Sequence, residues 1–439
     1  MKKFLYLIII SLFFSINVAA QERTGFIENI HIYEDEIELT NLTDNNYNTT
    51  KKALANIPFT ITSPVRVKYL YIIYSINTSK GVIKYNGKEQ KIGENLFLHE
   101  LIELDDSTNE ITITYQNDTV IKEVFLFGEE LPEWVEKWEP PLNEADLLLF
   151  STHSDDDQIF FAGLIPHTLN ANKSVQVVYL TKHLKQPHRF DEALSGLWTV
   201  GIKNYPIFGP VPDAYSKSLD KALENLKKDN LTLKDVIHFE VDMIRKFKPK
   251  IVVSHDEEGE YGHGQHRLIT FALESSIRYL GDPNYKSVYR PYVPYKIYLH
   301  LYDENPIIMN YDIPLKKYDG KTAFQVSMEG LSKHKSQLKP NWGKWLKYNS
   351  ASEVPEYNPK YLGLYFSSVG YKNIDNDMFY NIPNNPLGEY NPSLIQNTII
   401  KSKSNEEISN IDKLYIYTAL GIILLLVIID LYIIIAKKK

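Results

Sequence analysis

The chain contains no cysteine in 439 residues, so no disulfide holds it together and its apolar cores must suffice. It also lacks positive charge in excess. The formal net charge is −7, no basic patch interrupts the mixture of signs, and nucleic acid is excluded as a partner on that ground. The hydrophobic fraction of 44% is ordinary for a globular protein carrying two membrane segments, and the length allows two domains.

The longest apolar runs lie at the two ends. Lys2-Lys3, the run Phe4 to Phe14 and Val18-Ala19-Ala20 before Gln21 have the layout of a secretory signal, expected over residues 1–20. Leu414 to Ala436 is almost wholly apolar and is followed by Lys437-Lys438-Lys439. As a helix it would reach roughly 34 Å against a hydrocarbon core of about 30 Å. Asp430 costs such a span about 3 kcal/mol, which its many Leu and Ile residues outweigh. The expectation is a tether at 399–413, a single transmembrane helix at 414–436 and a cytoplasmic tail at 437–439. Everything between signal and anchor then faces outward, at the cell surface.

The chemistry is concentrated in two segments. Leu147-Leu-Leu-Phe-Ser-Thr-His153-Ser-Asp155-Asp156-Asp157 sets an imidazole and three carboxylates directly after a buried-strand pattern. About a hundred residues later Ile251-Val-Val-Ser-His255-Asp256 runs into Glu260-Tyr261-Gly262-His263-Gly264-Gln265-His266. Short apolar runs bounded by polar residues read as strands buried on both faces of a parallel sheet, whose ligand crevice lies beyond the carboxyl ends. His153 and Asp156, spaced i, i+3, can aim at one point from a tight turn, and His266 completes three ligands for a zinc ion that keeps a fourth place for water. Asp155 is then the candidate general base, His263 the candidate donor to a developing oxyanion, and Tyr261 a secondary donor. A string of Asp alone is usually a solvated turn. Here the two segments occur at the ends of two strands. His255 is open between a partner of the site and a packing role, and His167, His183, His188, His238 and His300 receive no role.

These residues carry a resemblance. His153-Ser-Asp-Asp-Asp157 resembles the H-P-D-D-E signature of the LmbE-like (PIG-L) zinc deacetylases, and Tyr261-Gly-His-Gly-Gln-His266 their Y-G-H-P-D-H signature. Val177-Val-Tyr-Leu-Thr181 resembles the second strand, Arg189-Phe-Asp-Glu192-Ala193 the R-x-x-E-A helix, Asp213 the usual Pro-Asp segment, and His334-Lys-Ser-Gln337 a late H-x-S-Q element. The resemblance spans roughly Ala145 to Leu346. It implies a Rossmann-like, mostly parallel α/β domain that uses one zinc ion to remove acetyl from an N-acetylglucosamine-type sugar. By position, His153, Asp156 and His266 match the metal ligands, Asp155 the base and His263 the stabilising histidine. Arg189, Tyr261 and Asp213 fall among the substrate-binding positions. Three departures stand out: Ser154 for proline, Asp157 for glutamate, and Gln265 for an aspartate that holds the stabilising histidine. A neutral amide there should lower the His263 pKa and shift or weaken activity.

Ahead of this region, residues 21–130 read as a β-sandwich. Val65 to Ser75, Val82 to Tyr85, Glu110 to Tyr115 and Val120 to Phe127 are β-rich, separated by turns at Asn86-Gly87 and Asp105 to Asn109. The order of pieces resembles the discoidin-like (galactose-binding-like) modules. Residues 131–143 form a Pro/Trp linker whose Trp134 and Trp138 pack between domains. The catalytic region covers 144–398, with Tyr361 to Gly370 as a further strand.

The expected function is an outward-facing zinc hydrolase that deacetylates an N-acetylated sugar or glycoconjugate. One alternative is a surface carbohydrate-binding or adhesion protein with a degenerate centre, motivated by Gln265 and the β-rich module. The other is a zinc amidase acting on a different acyl amide.

Overall fold

The computed structural model describes residues 23–76 and 78–383. The expected signal at 1–20 and transmembrane helix at 414–436 both lie outside the described residues.

Eight strands form an antiparallel sheet: β1 (His31–Glu34), β2 (Ile37–Glu38), β3 (Lys51–Ala53), β4 (Phe59–Tyr74), β5 (Gly81–Tyr85), β6 (Lys88–Ile92), β7 (His99–Tyr115) and β8 (Thr119–Phe127). The path runs β2-β1-β4-β7-β5-β6, with β8 joining β3 to β4. All eight are hydrogen-bonded into one sheet, where two packed sheets were expected. The Asn86-Gly87 turn closes the β5–β6 hairpin with φ of 48° and 73°, the positive values that a two-residue turn matching the strand twist requires. Asp105 to Asn109 is part of β7 and not a turn. The pairing with β4 slips between Thr62 and Val67 and again before Tyr69, so the polar residues ride on a bulged stretch of continuous strand.

The second sheet contains β9 (Leu147–Ser151), β10 (Val175–Lys182), β11 (Ile207–Pro212), β12 (Ile251–Ser254), β13 (Lys296–His300), β14 (Pro306–Ile308) and β15 (Tyr361–Ser367), in the order β11-β10-β9-β12-β13-β15-β14. Leu147 to Phe150 and Ile251 to Val253 are completely buried, as the unbroken apolar pattern required. Each such side chain contributes about 1.5–3 kcal/mol by leaving water. Two expectations are corrected. The sheet is mixed, because β15 runs antiparallel to both β13 and β14. Among the described residues, moreover, no helix is long and apolar enough to cross a membrane.

Helices α1 (Asp156–Ile159), α2 (Leu164–Asn170), α3 (His188–Thr199), α4 (Leu219–Lys228), α5 (Leu233–Phe247), α6 (Gly264–Leu280) and α7 (Ala323–Leu331) complete the framework. Thr232 and Asp235 form a capping box at the start of α5, as Thr322 and Gln325 do for α7.

A buried charge cluster ties α3 to the first sheet. Asp191 accepts from Lys122 Nζ of β8 at 2.5 Å and from His99 Nε2 of β7 at 3.0 Å. The other ring nitrogen of His99 faces Glu136 at 2.6 Å. Around it Trp138 packs on Trp198 and Tyr205, and Tyr205 stacks on Phe97, while Trp134 packs on Phe125 and Phe127. Burial alone would depress His99, but Glu136 and Asp191 prevail and raise its pKa from 6.5 to about 9. The stability this contributes is therefore fully present below pH 6.5 and lost as pH rises through about 9. Urea midpoints measured across that window should fall for the native chain and stay level for His99→Gln. Asp191→Asn should cost about 3–5 kcal/mol at neutral pH, since it strands buried cations; a midpoint shift near zero would show that the cluster holds nothing.

Candidate metal centre

β9 pairs with β10 on one side and β12 on the other, so the order reverses between the carboxyl ends of β9 and β12. The two chemical segments leave the sheet there. After β9 the chain bends at once, and the His153 backbone N–H donates to Asp156 Oδ2 at 2.8 Å, closing the turn that starts α1. After β12 the loop passes Gly259 and Gly262, both at positive φ, and enters α6, which carries His266 in its first turn.

Three atoms converge. His153 Nδ1 lies 2.9 Å from Asp156 Oδ2 and 3.2 Å from His266 Nε2, and the latter two are 3.2 Å apart. A tetrahedral ion with bonds of about 2.0–2.2 Å sets its ligand atoms roughly 3.4 Å apart, so the triangle is the right size for one. All three residues are buried. Burial works against ionisation of Asp156, but the two imidazoles hold its carboxyl well below the usual range.

Hydrogen bonding assigns the nitrogens. His153 Nε2 faces the Gln265 side-chain oxygen at 3.2 Å, an acceptor, so its proton sits there and the Nδ1 lone pair points to the centre. His266 Nδ1 faces Glu260 at 2.6 Å, which leaves its Nε2 lone pair for the same point. Two other groupings are close enough to share an ion, His153/His263/His266 and Asp156/His255/His266. His255 cannot serve as it stands, because its Nε2 already accepts the Thr152 N–H at 3.0 Å. The Nδ1 of His263 accepts the Gln265 backbone N–H at 3.1 Å, so the neutral ring carries its proton on Nε2 and is a donor. Burial, with His153 and His266 beside it, pushes the His263 pKa down to about 2.

The Gln265 side chain does not hold the stabilising histidine. Its side-chain oxygen takes His153 and the Ala214 N–H at 3.1 Å, and its amide donates to the Pro212 carbonyl at 2.9 Å. An uncharged residue at this position is a built part of the centre, oriented by backbone on one side and a candidate ligand on the other.

Glu260 is the residue that sequence reasoning missed. Its carboxylate is fully buried and faces three imidazoles: His255 at 2.8 Å, His266 at 2.6 Å and His300 at 2.6 Å. Burial would raise its pKa, but His255, His266 and His300 hold it well below the usual range. His300 comes from the end of β13 and donates its other nitrogen to the Asn358 carbonyl at 3.1 Å. The only sequence signal for Glu260 was its place in the loop before α6, and nothing along the chain links it to His300.

Asp155 faces the same crevice. Its Oδ1 takes Arg189 at 2.6 Å, and Arg189 also donates to Asp213 at 2.8 Å. Burial raises the Asp155 pKa against the pull of Arg189. Asp213 takes His183 as well, at 3.0 Å, and lies 3.6 Å from His153 Nε2. The two expected substrate residues Arg189 and Asp213 are thus paired with each other. Asp157 points away, toward Gln158 and Tyr179, and burial lifts its pKa to about 8. The late motif has a structural partner too: Glu192 accepts the backbone N–H and hydroxyl of Ser336 at 2.8 and 2.6 Å. Tyr261 stands at the mouth, its ring centre 5.5 Å from that of His263.

Replacing Glu260 by Gln removes an acceptor oxygen shared by His255 and His266. Affinity for a divalent ion, measured by chelator competition, should drop about 10–100-fold. Unchanged affinity would mean that His266 is oriented without it.

Comparison with known proteins agrees with the motifs. Residues 148–277 match the family model PIG-L, described as GlcNAc-PI de-N-acetylase. No curated protein matches. Among solved structures, the chain is similar to N,N'-diacetylchitobiose deacetylase from Pyrococcus horikoshii at 17% identity, covering 55% of this chain and 88% of that one with a TM-score of 0.37. It is also similar to a conserved protein from Thermus thermophilus at 13% identity, over 47% and 91% of the two chains with a TM-score of 0.34. A third likeness is to CpGH89CBM32-6 produced by Clostridium perfringens, at 16% identity over 22% and 90% with a TM-score of 0.19. Motifs and family match coincide on the same strands and loops, and residues 148–277 constitute a PIG-L (LmbE-like) domain.

Proposed function

We propose that this protein is a zinc-dependent hydrolase that removes the acetyl group from an N-acetylated amino sugar or glycoconjugate. The observation that carries the reading is the triangle of His153 Nδ1, Asp156 Oδ2 and His266 Nε2, flanked by a carboxylate and a neutral imidazole that are not needed as ligands. His153, Asp156 and His266 would hold the ion. When bound there, zinc supplies a Lewis acid that lowers the pKa of water to about 7 and polarises a carbonyl.

The remaining residues supply proton handling. Asp155 is buried and raised in pKa, so it can take a proton from the attacking water and return it to the leaving amine. Arg189 keeps it from drifting fully to the neutral form and fixes Oδ1, leaving Oδ2 for the proton. His263 donates from Nε2 to the oxygen that becomes negative as the amide carbonyl is attacked. Its neutrality is a requirement of that role beside a cation, and burial together with His153 and His266 maintains it. Tyr261, Arg189 and Asp213 line the approach, and the sugar hydroxyls are assigned to them. Action outside the cell belongs to this reading and is supported by the signal-like residues 1–20 alone.

Acetate release from a panel of N-acetylated sugars tests the reaction. Asp155→Asn should reduce it by about 10²–10⁴-fold, and equal release by both proteins would exclude Asp155 as base. His263→Asn separates the two candidate ligand sets. Turnover should fall about 10²–10³-fold while bound zinc, measured by elemental analysis, stays at one per chain; lost zinc would put His263 among the ligands.

A further inference from the structure

Beside the metal centre lies a cavity of about 200 Å³, and of the motif residues only Tyr261 lines it. Its wall comes from the stretch between α7 and β15, and its lining is aromatic: Trp342, Trp345, Tyr348 and Tyr357, with Tyr261 on the side of the centre. Trp345 and Val354 form a buried floor, while Trp342, Tyr348 and Tyr357 are only partly covered and Lys344 and Glu356 stand exposed at the rim.

Tyr261 joins the two spaces. Its backbone sits at φ 49°, ψ 25°, a conformation that bulky residues rarely adopt outside functional turns. The consequence is a ring left 38% exposed between buried neighbours Glu260 and His263. That ring is 5.6 Å from His266 on one side, and 5.6 Å from Trp342 and 6.3 Å from Tyr357 on the other.

We propose that this cavity is a second sugar subsite, so that the substrate is an oligosaccharide with one unit at the metal centre and the next pyranose against Trp342 and Tyr357. This rests on the deacetylase reading. A pyranose has apolar C–H faces and a polar equator, which suits partly exposed ring faces with charged groups at the edge. An alkyl chain would call for aliphatic walls, and Val354 and Pro355 are the only aliphatic side chains in the lining.

The experiment uses the full chain with metal removed by chelator, so that binding is read without turnover. Calorimetry compares N-acetylglucosamine, N,N'-diacetylchitobiose and hexyl N-acetylglucosaminide. The expected result is about tenfold tighter binding of the disaccharide than of the monosaccharide, reduced to less than about threefold in Trp342→Ala and largely restored in Trp342→Tyr. Equal affinity for one and two sugar units overturns the proposal. So does a preference unaffected in a folded Trp342→Ala chain, or tighter binding of the hexyl glycoside than of the disaccharide. Should the disaccharide preference hold while the metal-loaded chain releases no acetate, the subsite stands and the deacetylase reading fails.

Discussion

The site depends on one buried carboxylate. Glu260 brings negative charge to a fully buried place and meets it with imidazoles from three separate strand ends or helix starts: His255 after β12, His266 on α6 and His300 at the end of β13. A group so placed would be costly unpaired, and the three donors together make it favourable. The consequence for the centre is geometric. With the Nδ1 proton of His266 committed to Glu260, its Nε2 lone pair has one direction left, and that direction meets His153 and Asp156.

The same logic of committed protons runs through the rest of the centre. Gln265 takes the proton of His153 and so turns the other nitrogen inward, while its own backbone N–H occupies His263 and turns that ring's proton outward. One residue thereby turns the lone pair of one histidine toward the candidate centre and makes its neighbour a donor. The substitution of an amide for the usual carboxylate consequently no longer argues for a degenerate centre. It exchanges a charged support of His263 for a neutral support of His153, and the low His263 pKa has its cause in burial between two other histidines.

Arg189 links this chemistry to the first sheet. It lies on α3 two residues before Asp191, which is clamped by Lys122 and His99 from β8 and β7. The antiparallel sheet thus contributes to placing a side chain that touches the candidate base, whether or not it binds ligand of its own. Long-range packing of this kind has no local signature: in sequence Lys122 falls in an expected strand and His99 in none.

Much of the centre was legible along the chain because strand burial and turn geometry are local. Unbroken apolar runs at Leu147 and Ile251 announced strands covered on both faces, and the i, i+3 spacing of His153 and Asp156 announced a shared target. The hairpin at Asn86-Gly87 followed from positive φ, which Asn and Gly accept readily. Strand extent was less legible: Asp105 to Asn109 has turn composition, yet pairing with β4 on one edge carries the strand through it by a bulge. The sequence by itself determined which residues could bind an ion and which strands would deliver them, since those are properties of residue type and short-range pattern. Only the tertiary structure decided which nitrogen of each histidine faces the centre, because that choice belongs to Glu260, Gln265 and Thr152, whose contacts join parts of the chain as much as 112 residues apart.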